Sequence, residues 1–371
     1  MNKELRLLYI EDNAEESEEL REVLSGQKVN EYMISIDCEP SFDKAVERSN
    51  NYHIVILDLY KGDATNGGED LGSKIFERVK NSFFVPVIFY SGNISGIKNL
   101  KSQVVGVASK GDEIGELKSE IERLTKHNLP FLKENIHECL ENELKKYFWG
   151  VIQEQNDKFT PDADDYSLGY LLLRNFADSL SRDNIKRIIS DQSIKEDKVH
   201  PMEFYIYPIN DSREVENGEI LRRKDSEDIF TVLTPSCDFI ERFKKNGDSD
   251  GRAADNILLV KAIPLKETKE YKQYECNKNK ENMGHLKRLI NSSKGDRYFF
   301  LPQTPFINNC VVDFQLSATT CYDELRNHFV RIAKLDNPYA QSMVSSFIRY
   351  FDRIGYPDID ADYVINHLQN L

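Results

Sequence analysis

Five runs of β-forming residues, most of them closed by a polar side chain, punctuate about the first 125 positions of this 371-residue chain. They read LRLLYIE, EYMISIDCE, HIVILDLY, PVIFYSG and VVGVAS. Between and after them lie helix-patterned stretches: NAEESEELREVLSG, FDKAVERSN, EDLGSKIFERVKN, a short SGIKNLKS, and DEIGELKSEIERLTKH. Strands that alternate with helices at this spacing build right-handed βαβ units. The expected result is an α/β domain with a five-stranded, parallel, doubly wound sheet covered on both faces. A parallel strand buried on both faces has no structural use for an acid, yet HIVILDLY delivers Asp58. Ligand sites in such sheets lie just beyond the carboxyl ends of the strands.

The other strand ends carry chemistry too. The first run closes on Glu11 and Asp12, the fourth on Ser91 and the fifth on Lys110. Three carboxylates in one crevice repel one another, which favours a hard divalent cation such as Mg²⁺ held by oxygen ligands. A lysine ammonium and a serine hydroxyl opposite it would complete a pocket for a phosphoryl group, with Asp58 as the attacking nucleophile.

These residues resemble the receiver domain of two-component response regulators. YIEDN is similar to that family's acidic pair, VILDL to its phosphoaccepting aspartate, PVIFYSG to its hydroxyl-bearing fourth strand and VASKG to its fifth-strand lysine. The resemblance covers about the first 125 residues and implies a flavodoxin-like fold. It implies an acyl phosphate on Asp58, taken from a histidine kinase or phosphotransfer protein. It further implies Mg²⁺ held by Glu11, Asp12, Asp58 and the backbone carbonyl of Tyr60, with Ser91 touching the phosphoryl group and Lys110 paired with it. Tyr60 beside that group would hinder hydrolytic water and prolong the phosphorylated state. No enzymatic activity is implied beyond self-phosphorylation and dephosphorylation.

The chain departs from the family in places. It lacks the Met-Pro that often follows the aspartate and the Pro that follows the lysine. The loop KGDATNGGED is longer by about two residues, with Gly68 at the usual glycine, and Ser91 to Lys110 is short for a full fourth helix. Val107 stands where the family carries an aromatic switch residue. The usual serine-and-aromatic switch is therefore not expected in its common form.

The length favours two domains or three. We set a receiver at 1–127, a connecting amphipathic helix at 128–158 and an α+β output domain at 159–371. The connecting helix carries Leu132, Ile136, Leu140, Leu144 and Phe148 four apart. Such a stripe fits a core face more often than a homodimer seam, and the expected core is the second domain. Beyond it, the helical YSLGYLLLRNFADSLSRDNIKRIISD leads to MEFYIYPI, GEILRRK, IFTVLTPS, NILLVKAIPL, RYFFLP and CVVDFQLS, which read as largely antiparallel strands. Asn217-Gly218 signals a hairpin there. The stretch from YDELRNHFVRIAK to INHLQNL reads as helix.

Sixty-three acidic against 49 basic residues leave a net charge of −14, which argues against DNA or an anionic membrane as partner. The chain holds no run of roughly 18 apolar residues and no signal-peptide pattern, so a cytoplasmic location is expected. The expected output is control of an unidentified protein or ligand contact. A competing reading makes the second half a receiver-gated hydrolase, with Cys237 in TVLTPSCDF as nucleophile, His200 or His285 as base, and Asp238 or Asp313 as orienter. A zinc site from Cys237, Cys276, Cys310, His200 and His285 lacks any closely spaced ligand pair. The aromatic pieces fit core strands better than a ligand groove, and Arg349 with Arg353 fits surface ion pairs.

Overall fold

The computed structural model describes residues 3–61, 69–70, 72–82, 84–111, 114–126, 128–154, 165–189, 198–292, 297–352 and 359–369. The chain divides into two compact units, Met1–Ser193 and Ile194–Leu371.

The first unit runs β1 (Lys3–Ile10), α1 (Ala14–Leu24), β2 (Lys28–Val29), β3 (Tyr32–Glu39), α2 (Phe42–Ser49), β4 (Ile54–Leu57), β5 (Tyr60–Lys61), β6 (Glu69–Asp70) and α3 (Gly72–Ser82). It continues with β7 (Val87–Ser91), β8 (Val105–Ser109), α4 (Gly115–Thr125), α5 (Leu132–Tyr147), α6 (Asp165–Ser179) and α7 (Arg182–Ile189). The main sheet has the order β2-β3-β1-β4-β7-β8. Its five long strands are mutually parallel, in the flavodoxin-like order of a doubly wound sheet.

The sheet has six strands, not five: β2 pairs antiparallel with β3 as a two-residue edge. Asn30 makes the turn at φ 53°, a left-handed conformation that asparagine tolerates, and its Nδ2 donates to Thr125 Oγ1 at 2.8 Å. Two residues are too few to show a periodicity, which is why the sequence does not reveal this strand.

The strands read as continuous apolar runs because both faces are covered. In β4, Ile54 and Ile56 join one core while Val55 and Leu57 join the other, all four fully buried. Leu20 and Leu24 of α1, with Leu117, Ile121 and Leu124 of α4, close the first core. Phe42 and Val46 of α2, with Ile75 and Val79 of α3, close the second. Each such fully buried aliphatic contributes about 1.5–3 kcal/mol. Between β7 and β8 only one 3₁₀ turn forms, Lys98–Leu100, in keeping with the short segment there.

Helix α5 forms where the connecting helix was expected; none of its residues is fully buried, and its neighbours are α6 and α7, helices of the stretch set above at 159–371. Ile136 stays exposed, as does Phe148 in the π-helical turn that follows. Residues 155–164, where the connecting segment was expected to end, lie outside the described residues.

The second unit contains β9 (Tyr205–Ile206), β10 (Glu219–Arg223), β11 (Ile229–Val232), β12 (Arg242–Phe243), β13 (Ser249–Gly251), β14 (Ile257–Pro264), α8 (Lys269–Cys276), α9 (Lys280–Ile290), β15 (Tyr298–Leu301), β16 (Cys310–Thr320), α10 (Tyr322–His328), β17 (Phe329–Leu335), α11 (Tyr339–Phe351) and α12 (Ala361–Gln369). Seven strands form one antiparallel sheet in the order β15-β16-β14-β11-β10-β17-β9. Ile220, Val260, Val312, Phe314, Ala333 and Leu335 form one core with Ala340 and Met343 of α11. Leu221, Phe230, Val232, Leu259 and Phe239 form a second with Leu325 of α10.

Two expectations change here. FVRIAK lies in strand β17 rather than helix, because its backbone pairs with β10 on one side and β9 on the other while Ala333 and Leu335 of the strand enter the core. Asn217-Gly218 is not a hairpin loop between paired strands but the entry to β10. Gly218 takes φ 81°, its N–H donates to Val232 O, and an added Cβ would stand 2.9 Å from Ala340 Cβ. MEFYIYPI yields only the two-residue β9 after a 3₁₀ turn, and its Tyr205 lies in the core with Phe299 of RYFFLP. Arg353 lies outside the described residues.

Candidate functional site

At the carboxyl ends of the parallel strands Glu11, Asp58 and Lys110 come together with Ser91 on the strand end between them, while Asp12 stands half-buried next to Glu11. Asp58 follows β4, and its N–H donates to Ile10 O at 3.1 Å, tying it to the end of β1 where Glu11 stands. Ser91 closes β7, and its carbonyl accepts the Lys110 N–H at 3.0 Å, which seats Lys110 beside it at the end of β8. Glu11, Asp58 and Ser91 are all buried.

Lys110 is the hub. Its Nζ donates to Asp58 Oδ2 at 3.1 Å, to Glu16 Oε2 at 2.6 Å and to Glu11 Oε2. Burial alone would pull its pKa down, but the carboxylates of Asp58, Glu11 and Glu16 outweigh burial and hold it above that of an ordinary lysine. Glu11 is 2% exposed, and burial raises its carboxyl above the usual range even with Lys110 and the Asn13 N–H (2.9 Å to Oε1) opposing. The Tyr9 hydroxyl donates to Glu11 Oε2 at 2.9 Å, and burial beside that carboxylate raises the phenol. Leu59 N–H donates to Asp58 Oδ1 at 2.7 Å.

This donor set bears on the cation expected from the sequence. Carboxylate oxygens of Glu11, Asp12 and Asp58 are of the kind a hard divalent ion takes. As arranged, both oxygens of Glu11 and both of Asp58 already accept from N–H or O–H groups, and the Lys110 ammonium supplies the positive charge. Among the described residues no three His, Cys, Asp or Glu side chains are grouped so as to hold a metal ion. The arrangement is thus one of lysine and carboxylates, and Glu11 Oε1 and both Asp58 oxygens, each accepting one hydrogen bond, keep a lone pair of the kind a hard cation takes. The Tyr60 backbone pairs with Asp70 in the small β5–β6 ladder. The Tyr60 side chain, Gly68 and the loop at 62–68 lie outside the described residues.

Two participants were not expected from the sequence, Tyr9 and Glu16. Tyr9 reads as one more apolar strand position. Glu16 reads as an acid in the first turn of a helix, where it suits the dipole. The available signal is that a helix starting at Ala14 places Glu16 one turn past the acidic pair, over the same strand ends. Val107, at the expected switch position, is half-buried and packs in the second core.

Among the described residues, the second unit's cysteines and histidines form no group that could hold a metal ion. Cys237 is exposed in a short 3₁₀ turn with its thiol 3.5 Å from Asp238 Oδ1. His200 accepts the Met202 N–H at Nδ1 as a helix cap, and His285 faces Glu281 along α9 at 3.8 Å. Asp313 is held bidentately by Arg297 at 2.9 and 2.7 Å. Cys310 lies in the core, where burial pushes its thiol up to about 12, and Cys276 is exposed.

No protein-family model matches the chain, and no curated protein matches it. Solved structures do. The chemotaxis protein CheY4 of Vibrio cholerae is similar at 12% identity over 32% of this chain and 98% of that one, with a TM-score of 0.24. A two-component transcriptional regulator AraC of Clostridium phytofermentans matches at 16% identity over 36% and 98%, TM-score 0.26. NtrX of Brucella abortus matches at 14% identity over 40% of this chain and 35% of that one, TM-score 0.28. The flavodoxin-like order assigned above is read from the sheet itself. No described helix is long and apolar enough to cross a membrane.

Proposed function

We propose that the first unit is a phosphoacceptor domain of the receiver type, in which Asp58 takes a phosphoryl group from the phosphohistidine of a histidine kinase or phosphotransfer protein. A carboxylate oxygen of Asp58 forms a bond to phosphorus as the phosphorus–nitrogen bond of the donor breaks. The leaving electron pair stays on the donor imidazole, which takes up a proton. Lys110 would steady the transferred oxygens, and the hydroxyl of Ser91, which ends the strand between them, would donate to them. Glu11, Asp12, Asp58 and the Tyr60 carbonyl would hold a Mg²⁺ ion, whose charge would screen the phosphoryl oxygens from the carboxylates. Phosphorylation of Asp58 would then change the surface of the first unit and so control the second, which acts by protein or ligand contact.

The observation that carries this reading is the buried Asp58 carboxylate with Lys110 Nζ 3.1 Å away at the carboxyl edge of a doubly wound sheet. The test is incubation of the chain with Mg²⁺ and a small phosphodonor such as acetyl phosphate. An acid-stable, base-labile mass increase that Asp58→Asn abolishes supports the reading, and no adduct with any donor opposes it.

A further inference from the structure

A lysine ammonium has three N–H donors, and Lys110 directs all three at carboxylates: Glu11, Asp58 and Glu16. An incoming phosphoryl group can gain a hydrogen bond from this ammonium only if one of the three lets go. Glu11 is the worst candidate, because it is 2% exposed and is also held by the Tyr9 hydroxyl and the Asn13 N–H. Asp58 is the acceptor itself. Glu16 is 44% exposed, so water can replace the lysine at little cost.

The position of Glu16 is set by the start of α1. Asn13 caps that helix, with its Oδ1 accepting the N–H groups of Glu15 and Glu16 at 3.0 and 3.4 Å. The Asn13 Nδ2 then donates to Glu16 Oε1 at 3.0 Å, leaving Oε2 turned to Lys110. The cap and the carboxylate form one unit that reaches over the strand ends.

We infer that Glu16 is a positioning residue that restrains phosphoryl transfer: it holds Lys110 in a closed set of carboxylates and competes for it with the incoming phosphoryl group. Its negative charge also repels a phosphodianion approaching Asp58. This inference rests on Asp58 being the acceptor.

The experiment compares the full chain with its Glu16→Gln variant, using acetyl phosphate at fixed Mg²⁺ and following adduct formation by intact mass at low and high salt. Glu16→Gln keeps size and helix position and removes the charge, so a several-fold faster adduct on Asp58 is expected at low salt. The gain should shrink as salt screens the exposed charge, which a merely structural role would not produce. An Asp58 adduct that forms equally fast or more slowly in the variant overturns the inference while leaving the acceptor reading intact. A gain unchanged by salt also overturns it. Absence of any adduct in both chains refutes the acceptor reading and the inference with it. An adduct in the variant alone supports both.

Discussion

Lys110 and Asp58 meet across a strand that separates them. Asp58 follows β4 and Lys110 follows β8, with β7 and its terminal Ser91 between, yet Nζ and Oδ2 stand 3.1 Å apart. The lysine reaches over Ser91's strand end to the acid, so three functional groups from three strands share one crevice. That convergence follows from parallel strands with both faces buried: their carboxyl ends are where polar side chains can stand.

Removing the lysine should therefore be felt twice. Lys110→Met leaves the buried Glu11 and Asp58 carboxylates without their shared cation, at a cost of about 3–5 kcal/mol to the first unit. It should also slow Asp58 phosphorylation by about 100-fold, the usual loss on removing one preorganised charge. Urea denaturation and the rate of adduct formation measure the two effects separately.

His53 makes the first unit sensitive to pH at the other end of the sheet. Its Nδ1 accepts the Arg6 N–H at 2.9 Å, and its Nε2 stands 3.0 Å from Glu134 Oε1, close but off the line of a regular hydrogen bond. Burial lowers the His53 pKa, against the pull of Glu134. A depressed histidine contributes stability that is present above its unfolded pKa of about 6.5 and is lost as pH falls through that value toward the folded one. The urea midpoint of the first unit should thus drop between pH 7.5 and 5.5. His53→Gln should drop less, and an equal drop would place the titration elsewhere.

In the second unit, Glu219 and Arg331 form a buried pair, side chains 2% and 4% exposed, with Nε to Oε2 at 2.7 Å and Nη2 to Oε1 at 2.6 Å. Arg331 also donates to the carbonyls of Arg213 and Glu214. Glu219→Ala strands that guanidinium and should cost about 3–5 kcal/mol, read by thermal or urea unfolding. Replacing both residues with apolar ones of similar volume should cost less than the single change.

Two glycines separate backbone strain from crowding. Gly247→Ala, at φ 87° with nothing within 4 Å of the new Cβ, should cost about 1 kcal/mol. Gly218→Ala adds a clash with Ala340 to the same strain and should cost clearly more in the same unfolding assay.

How much of this could be read from the chain depends on the length of each signal. The parallel strands and their polar ends were legible because five or more buried residues ending on Glu11, Asp58 or Ser91 leave few alternatives. Helix α4 was legible from Leu117, Ile121 and Leu124 at helical spacing. Strand β17 was not, since Phe329, Ile332 and Ala333 suit a helix as readily, and only the neighbours β10 and β9 decide. Glu16 was hidden because its role depends on where α1 points relative to β8, a relation between residues 94 apart in sequence. In the second unit Asp313 was a poor guide to a site, because its carboxylate is taken up by Arg297, sixteen residues away.

The most direct test of the account is to locate the phosphoryl group. After reaction with a small phosphodonor, borohydride reduction converts an acyl-phosphorylated aspartate to homoserine, which peptide mass spectrometry places in the sequence. The account predicts homoserine at position 58, absent when Lys110 is replaced by Met at short reaction times. Homoserine at another aspartate, or none at position 58 at any time, would contradict it.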